Sequence, residues 1–366
     1  MTFNLGTDEF SNNMDNTNIR SPHLDLDSLY GQAGVEYLFN DNKFIINSKN
    51  HDLIRNSQGK AIIPDPRNDE NYIIGQLHYL FQLFHNKLID EFSNKNIQDV
   101  FKLVRREVTF YYQWIIVNDY LSRLIDNDVL DSIFKYGTKF YSPTKYEYCI
   151  PREFAIAAFR YGHYTINNYY TIAYDFKIPE EKLHHYTGGI LPDYVIDWSN
   201  FFNVVAYKSP TYSKKIEATL AQDLNNMNHL DKPADMPFDK NSLFLRNLLR
   251  GKQSKLPSGQ DLAKAMGLEP ISRDIMIQHD RNGNLERNGF LENTPLLIYI
   301  LKEAEIFKGG TMLTGVGGIL IAEVMLGLLF EDKNSYFNSK DNWKPTLPSE
   351  ESGQFLMGDL IRYVYS

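Results

Sequence analysis

The sequence has only one cysteine, Cys149, in 366 residues. No internal disulfide can form, and metal centres built on several thiolates are excluded. This fits a reducing compartment such as the cytoplasm, although a secreted bacterial protein can also lack disulfides. No basic run occurs, and the formal net charge is −8; both argue against nucleic acid as a partner. The longest apolar stretch, Met312–Phe330, is broken by Glu323 and by Gly315, Gly317, Gly318 and Gly327. It reads as a buried helix rather than a membrane span, so no integral membrane segment is expected. Met1–Asn18 is polar and acidic and lacks the basic start and apolar centre of a secretory signal. There is no internal repeat, and strand-like alternation is scarce.

Aromatic residues and helical periodicity are what the sequence has in quantity. Its 24 Tyr and 23 Phe suit a wide core, or the walls of a pocket for a flat ligand. In Gln76–Phe92 the apolar positions Leu77, Leu80, Phe81, Phe84, Leu88 and Phe92 form one helical face. Val100–Ile125, Pro151 to about Tyr170, Ser242–Arg250, Gly259–Met266, Pro295–Phe307 and Gly310–Phe330 also read as helices. Val35–Phe39 and Lys43–Ile46, around Asn40-Asp41-Asn42, predict one small hairpin. Asn200–Tyr212, Asn226–Asp239 and Gly267–Asn288 read as connecting loops. The expectation is a mainly α fold: one large helical domain with long loops and at most a small β-hairpin. Residues 1–20 read as a tail, 21–332 as the body, and 333–366 as an extension packing on the same domain.

Several residue groups could carry chemistry. His163, in Phe159-Arg160-Tyr161-Gly162-His163 on a predicted helix, could present Nε2 to a metal if another group held Nδ1; alone, it reads more readily as an ordinary core or surface histidine. His78 and His85 lie two turns apart on one helix, too far to chelate one ion, and read as structural. His184-His185 read as solvated. In Ser21-Pro22-His23-Leu24-Asp25-Leu26-Asp27, oxygen donors alternate in a way that suits a hard cation such as Ca²⁺, or simply an exposed strand. Asp65-Pro66-Arg67-Asn68-Asp69-Glu70-Asn71 precedes a helix. Arg67 there could direct a fixed positive charge at a developing anion, or pair with a surface carboxylate.

These landmarks occur in one order, with Leu24–Gly31, Asp65–Asn71, Gln76-Leu77-His78 to His85-Asn86, Glu153–His163 and Asn247-Leu248-Leu249-Arg250-Gly251 following one another. From about Ser21 to Phe330 the chain resembles the animal-type haem peroxidases of the peroxidase–cyclooxygenase superfamily, especially their bacterial members. The resemblance implies haem b as cofactor, with His163 as the iron ligand. It makes Asn247 the acceptor of the imidazole's hydrogen bond and Arg67 the distal arginine that polarises the peroxide. Glu70 matches the carboxylate that can form an ester to haem. Arg160 and Arg250 match arginines near the propionates. Ser21, His23 (through its carbonyl), Asp25 and Asp27 match the family's calcium loop.

One family element has no counterpart. Members carry a Gly-Gln-x-x-x-His-Asp segment just ahead of the calcium loop, which supplies the distal histidine and a further calcium ligand. The matching Asp would fall immediately before Met1, and no other histidine substitutes. The resemblance thus implies either a sequence begun at an internal Met or a haem-binding relative without a distal base. The expected activity is reduction of hydrogen peroxide or an organic hydroperoxide with oxidation of a small donor, as in a response to oxidative stress. The alternatives are a non-catalytic haem-binding protein and a fatty-acid oxygenase. The oxygenase branch places a radical-forming Tyr three residues before the iron ligand, where this chain has Arg160, with Tyr161 one position off.

Overall fold

The computed structural model describes residues 21–31, 35–93, 95, 97–174, 176–183, 195–225 and 242–366. Helices dominate, as the periodicity predicts. Helix α1 spans Tyr72–Ser93 and buries Leu80, Phe81, Phe84 and Leu88. Asn71 starts it, its Oδ1 accepting the Ile73 N–H at 3.0 Å. Helix α2 covers Val100–Ile115, capped by Asp99. It continues through a π-helical stretch, Ile116–Leu121, before a last α turn, Ser122–Leu124. Helix α3, Asn127–Tyr136, stops at Gly137, whose φ of 78° lies where residues with a Cβ are strained.

The predicted helix after Pro151 does not run to Tyr170. It is a π turn, Glu153–Ala157, followed by a 3₁₀ segment, Ala158–Thr165. The chain then turns into a hairpin of β3 (Tyr169–Ala173) with β4 (Phe176–Pro179). Tyr169, Tyr170, Thr171 and Ile172 are aromatic or β-branched residues that favour strand. The expected hairpin is present but shorter: β1 is Phe39–Asn40 and β2 is Lys43–Phe44. Glu36–Leu38 is a 3₁₀ turn rather than strand. Asp41 and Asn42 both take positive φ, the geometry of a two-residue hairpin turn.

Helix α4 is Leu243–Gln253, α5 Gly259–Ala265, α6 Leu296–Lys308 and α7 Gly315–Glu331. Helix α7 starts five residues later than expected because Gly309 and Gly310 have positive φ and end α6. The stretch Gly267–Asn288 contains two short helices, Arg273–Gln278 and Asn284–Arg287. His184-His185 and Asn226–Asp239 lie outside the described residues.

Helix α7 is buried over almost all its length. Its internal acid, Glu323, accepts the backbone N–H groups of Lys139, Phe140 and Tyr141. A buried carboxylate held by several N–H donors needs no counter-ion. Among the described residues no helix is long and apolar enough to cross a membrane. Helices α6 and α7 pack on each other and on the 3₁₀ segment 158–165, which α4 approaches through the preceding π turn. Helix α8, Met357–Tyr365, folds back on α1.

Candidate functional site

His163 lies in the last turn of the 3₁₀ segment, half-buried, with its Nδ1 atom fully buried. Beside it, a Cβ added to Gly162 would meet nothing within 4 Å. A flat ligand could therefore lie against the backbone here. Arg160, three residues earlier, reaches α4: its Nη1 donates to Asn247 Oδ1 at 2.8 Å, and its Nε donates to Ala155 O at 3.4 Å. Asn247 is almost fully buried. Its Nδ2 and the buried Tyr164 hydroxyl have no hydrogen bond of good geometry. Burial pushes the Tyr164 phenol up to about 12, with the neighbouring Asn247 opposing the rise. Arg250 sits one turn beyond Asn247 on α4, half-buried. The structure thus joins the segment of Arg160 and His163 to the helix of Asn247 and Arg250, a link that no local spacing in the sequence reveals.

The Asp65–Asn71 loop is a 3₁₀ turn, Pro66–Asp69, capped by Asp65. Arg67 forks onto that same Asp65, with Nε to Oδ1 at 3.0 Å and Nη2 to Oδ2 at 3.1 Å. Glu70 is exposed. Asn68 is fully buried, and its Nδ2 lies 3.1 Å from His78 Nδ1. Sequence reading missed what fixes this loop. Arg55 holds Asp69 through two bonds, 2.6 and 2.8 Å, and Asp52 through Nε at 2.7 Å. Paired planar groups of this kind hold geometry as well as charge.

Both helix histidines are buried structural groups, and burial pushes His78 down to about 3 and His85 down to about 4. His85 bridges the Tyr30 hydroxyl (3.0 Å) and Asn42 O (2.8 Å).

The Ser21–Asp27 loop is closed by its own atoms. Ser21 N donates to Asp27 Oδ2 at 3.0 Å, His23 N to Ser21 Oγ at 3.0 Å, and Asp27 N to Asp25 Oδ1 at 3.1 Å. Leu26, between the two aspartates, has φ 58°, a strained value for a branched residue. Ser21, Asp25 and Asp27 line a cavity of about 410 Å³ together with Arg105. Among the described residues no three His, Cys, Asp or Glu side chains are grouped to hold a metal ion. His23 is raised above its ordinary value by a hydrogen bond to Asp332, whose Oδ2 lies 3.4 Å away.

A larger cleft, about 1150 Å³, runs between α1, the π stretch of α2 and the 3₁₀ segment. Leu77, Phe81, Tyr161 and Thr165 line it, with Arg123, Lys215 and Glu350 among its charged groups. In its wall the Tyr120 and Tyr161 hydroxyls lie 2.7 Å apart. Neither Arg67 nor His163 is among the described lining residues.

This is a mainly helical scaffold in which the segment carrying His163 is tied to α4 through Arg160 and Asn247. A model of the animal haem peroxidase family matches residues 9–283, and the chain belongs to that family. Its fold is similar to that of peroxidase A from Dictyostelium discoideum, with a TM-score of 0.69 and 17% identity over 94% of this chain. It is also similar to the fatty acid alpha-dioxygenase of Arabidopsis thaliana, with a TM-score of 0.63 and 16% identity over 88% of this chain. The alpha-dioxygenase of Oryza sativa, solved as a Y379F variant with palmitic acid, gives a TM-score of 0.62 and 14% identity over 86% of this chain. The chain spans 69% of the Dictyostelium structure and 58% and 59% of the two dioxygenases. No curated protein sequence matches it.

Proposed function

We propose that the chain is a haem-dependent peroxidase that reduces hydrogen peroxide or an organic hydroperoxide while oxidising a small donor. The observation that carries this reading is the Arg160–Asn247 contact, which ties the His163 segment to α4. The donor set and the open space beside Gly162 fit a planar macrocycle held by one imidazole. Bound haem b supplies the redox-active iron; the chain supplies position and field.

In this reading His163 holds the iron. Asn247 Oδ1 has two lone pairs, so it can keep Arg160 and also accept from His163 Nδ1. Arg160 and Arg250 neutralise the propionates. Asp65 locks Arg67 in one orientation, so that its charge stabilises anionic oxygen at the peroxide. A guanidinium stays protonated and cannot take up the proton that peroxide heterolysis must move. His78, fully buried with its Nδ1 beside Asn68, is a structural group in this reading and not the distal base. Glu70 is the residue for any ester link, and Ser21, His23, Asp25 and Asp27 the donors for Ca²⁺. Residues 21–332 form the peroxidase body and 333–366 its extension.

The test is spectroscopic. His163→Ala should lose the Soret band of reconstituted protein, whereas His78→Ala and His85→Ala keep it. An unchanged Soret band in folded His163→Ala would remove the assignment.

The Tyr120–Tyr161 contact on a large cleft favours a second reading, a fatty-acid oxygenase. Oxygen uptake with palmitate, against peroxide consumption with a phenolic donor, separates the two.

A further inference from the structure

Phe134, Tyr136, Phe140, Tyr146 and Phe337 stand exposed, between 36% and 73%. Four of them follow one another along the segment 134–146, which runs beside α7, and Phe337 lies just beyond that helix. Phe134 packs against Phe330 and Phe337 at 6.1 and 6.5 Å between ring centres. The segment after α3 is pinned to α7: Glu323 accepts three of its backbone N–H groups, and Glu331 accepts Thr144 N at 2.9 Å. Three lysines cover the rings. Lys135 lies 5.0 Å over Tyr136, Lys139 4.9 Å over Phe140, and Lys145 5.3 Å over Tyr146.

We propose that this flank is a docking surface for an anionic lipid bilayer, a role independent of the peroxidase reading. Between Phe134 and Glu147 there are three lysines and one acid, a net of +2, in a chain whose net charge is −8. Asp128 and Asp131 are exposed further back on α3, and Glu331 is occupied by Thr144. Fixed aromatic rings suit the depth of the lipid headgroups. Lysine stems lie along such rings while their ammonium groups reach the phosphates. A protein partner fits less well, since protein interfaces are depleted in Lys and anchored by Trp and Arg. The segment contains neither. Self-association through the same face would set lysine against lysine. With no helix to span a bilayer among the described residues, attachment would be in the plane of the interface.

The full chain is floated with vesicles of phosphatidylcholine, with and without about a third phosphatidylglycerol, at low ionic strength. Tighter binding to the anionic vesicles, on the order of a hundredfold, is expected from about fivefold per lysine. Lys135→Glu/Lys139→Glu/Lys145→Glu should lose that preference. Phe134→Ser/Tyr136→Ser should weaken binding to both vesicles. Lys252→Glu/Lys264→Glu, on a different surface, should change nothing. The lysines are all exposed, so the melting temperatures of the two lysine variants should not move. No association with anionic vesicles, or equal losses in the Lys252/Lys264 control, would overturn the proposal. So would patch variants that alter only the oligomeric state in light scattering, which would make the flank a protein interface.

Discussion

Arg160 Nη1 and Asn247 Oδ1, 2.8 Å apart, join two segments separated by 87 positions. Asn247→Leu leaves a half-buried guanidinium without that acceptor. A hydrogen bond to a charged group is worth about 1.5–3 kcal/mol, and urea unfolding should show a loss of that order. A double-mutant cycle with Arg160→Met isolates the pair. In haem-loaded protein, Asn247→Leu should also raise the iron's reduction potential, because the imidazole loses its acceptor. An unchanged potential would assign Oδ1 to Arg160 alone.

Arg55 ties Asp52 to Asp69 and so fixes the turn that carries Arg67 and Glu70. Its side chain and both carboxylates are largely buried. Arg55→Met leaves two buried acids uncompensated and should cost about 3–5 kcal/mol in unfolding free energy. Arg55→Lys should recover little, since an ammonium cannot make both forks. Full stability in the Lys variant would show that charge alone suffices.

Buried titrating groups set opposing pH dependences. Unfolded, His78 and His85 take a proton near 6.5, but folded they resist to about 3 and about 4. The unfolded state therefore holds more protons below 6.5, and stability falls as the pH drops. Glu303, beneath the start of α7, is pushed up to about 7 by burial, although the N–H groups of Gly317 and Val316 oppose this. Here the folded state holds the extra proton between 4.5 and 7, so stability falls as pH rises through that window. Glu303→Gln removes this second trend. The variant should match the wild type near pH 4.5 and exceed it by up to about 3 kcal/mol near pH 8. Urea unfolding at both pH values checks this; a variant less stable than wild type at pH 8 contradicts it.

The parts of the fold legible in the sequence are those with local causes. The apolar stripe of α1, the Asp41-Asn42 turn and the buried α7 with its single acid are each written within about twenty residues. The π stretch carrying Tyr120 is not, because a single π turn inside a helix is too short to leave an apolar period of its own. The helix expected to reach Tyr170 failed where β-branched and aromatic residues took over. Residue order marked the candidate site through the family resemblance. Its contacts were invisible, since Arg160–Asn247 and Arg55–Asp69 depend on chain segments meeting in space. Asp65 was within reach: a carboxylate two residues before Arg67, at a capping position, is a natural partner for it.

The return of α8 onto α1 bears on how the chain folds. Lys87 on α1 donates to Tyr363 O at 2.5 Å and to Ser366 O at 3.1 Å, and Asp119 Oδ2 accepts Met357 N–H at 2.9 Å. These contacts close loops of 276, 279 and 238 residues. Helix α1 thus keeps one apolar face open until residues 357–366 have been synthesised. During that interval the exposed stripe of α1 is a natural target for chaperones, and for aggregation in their absence.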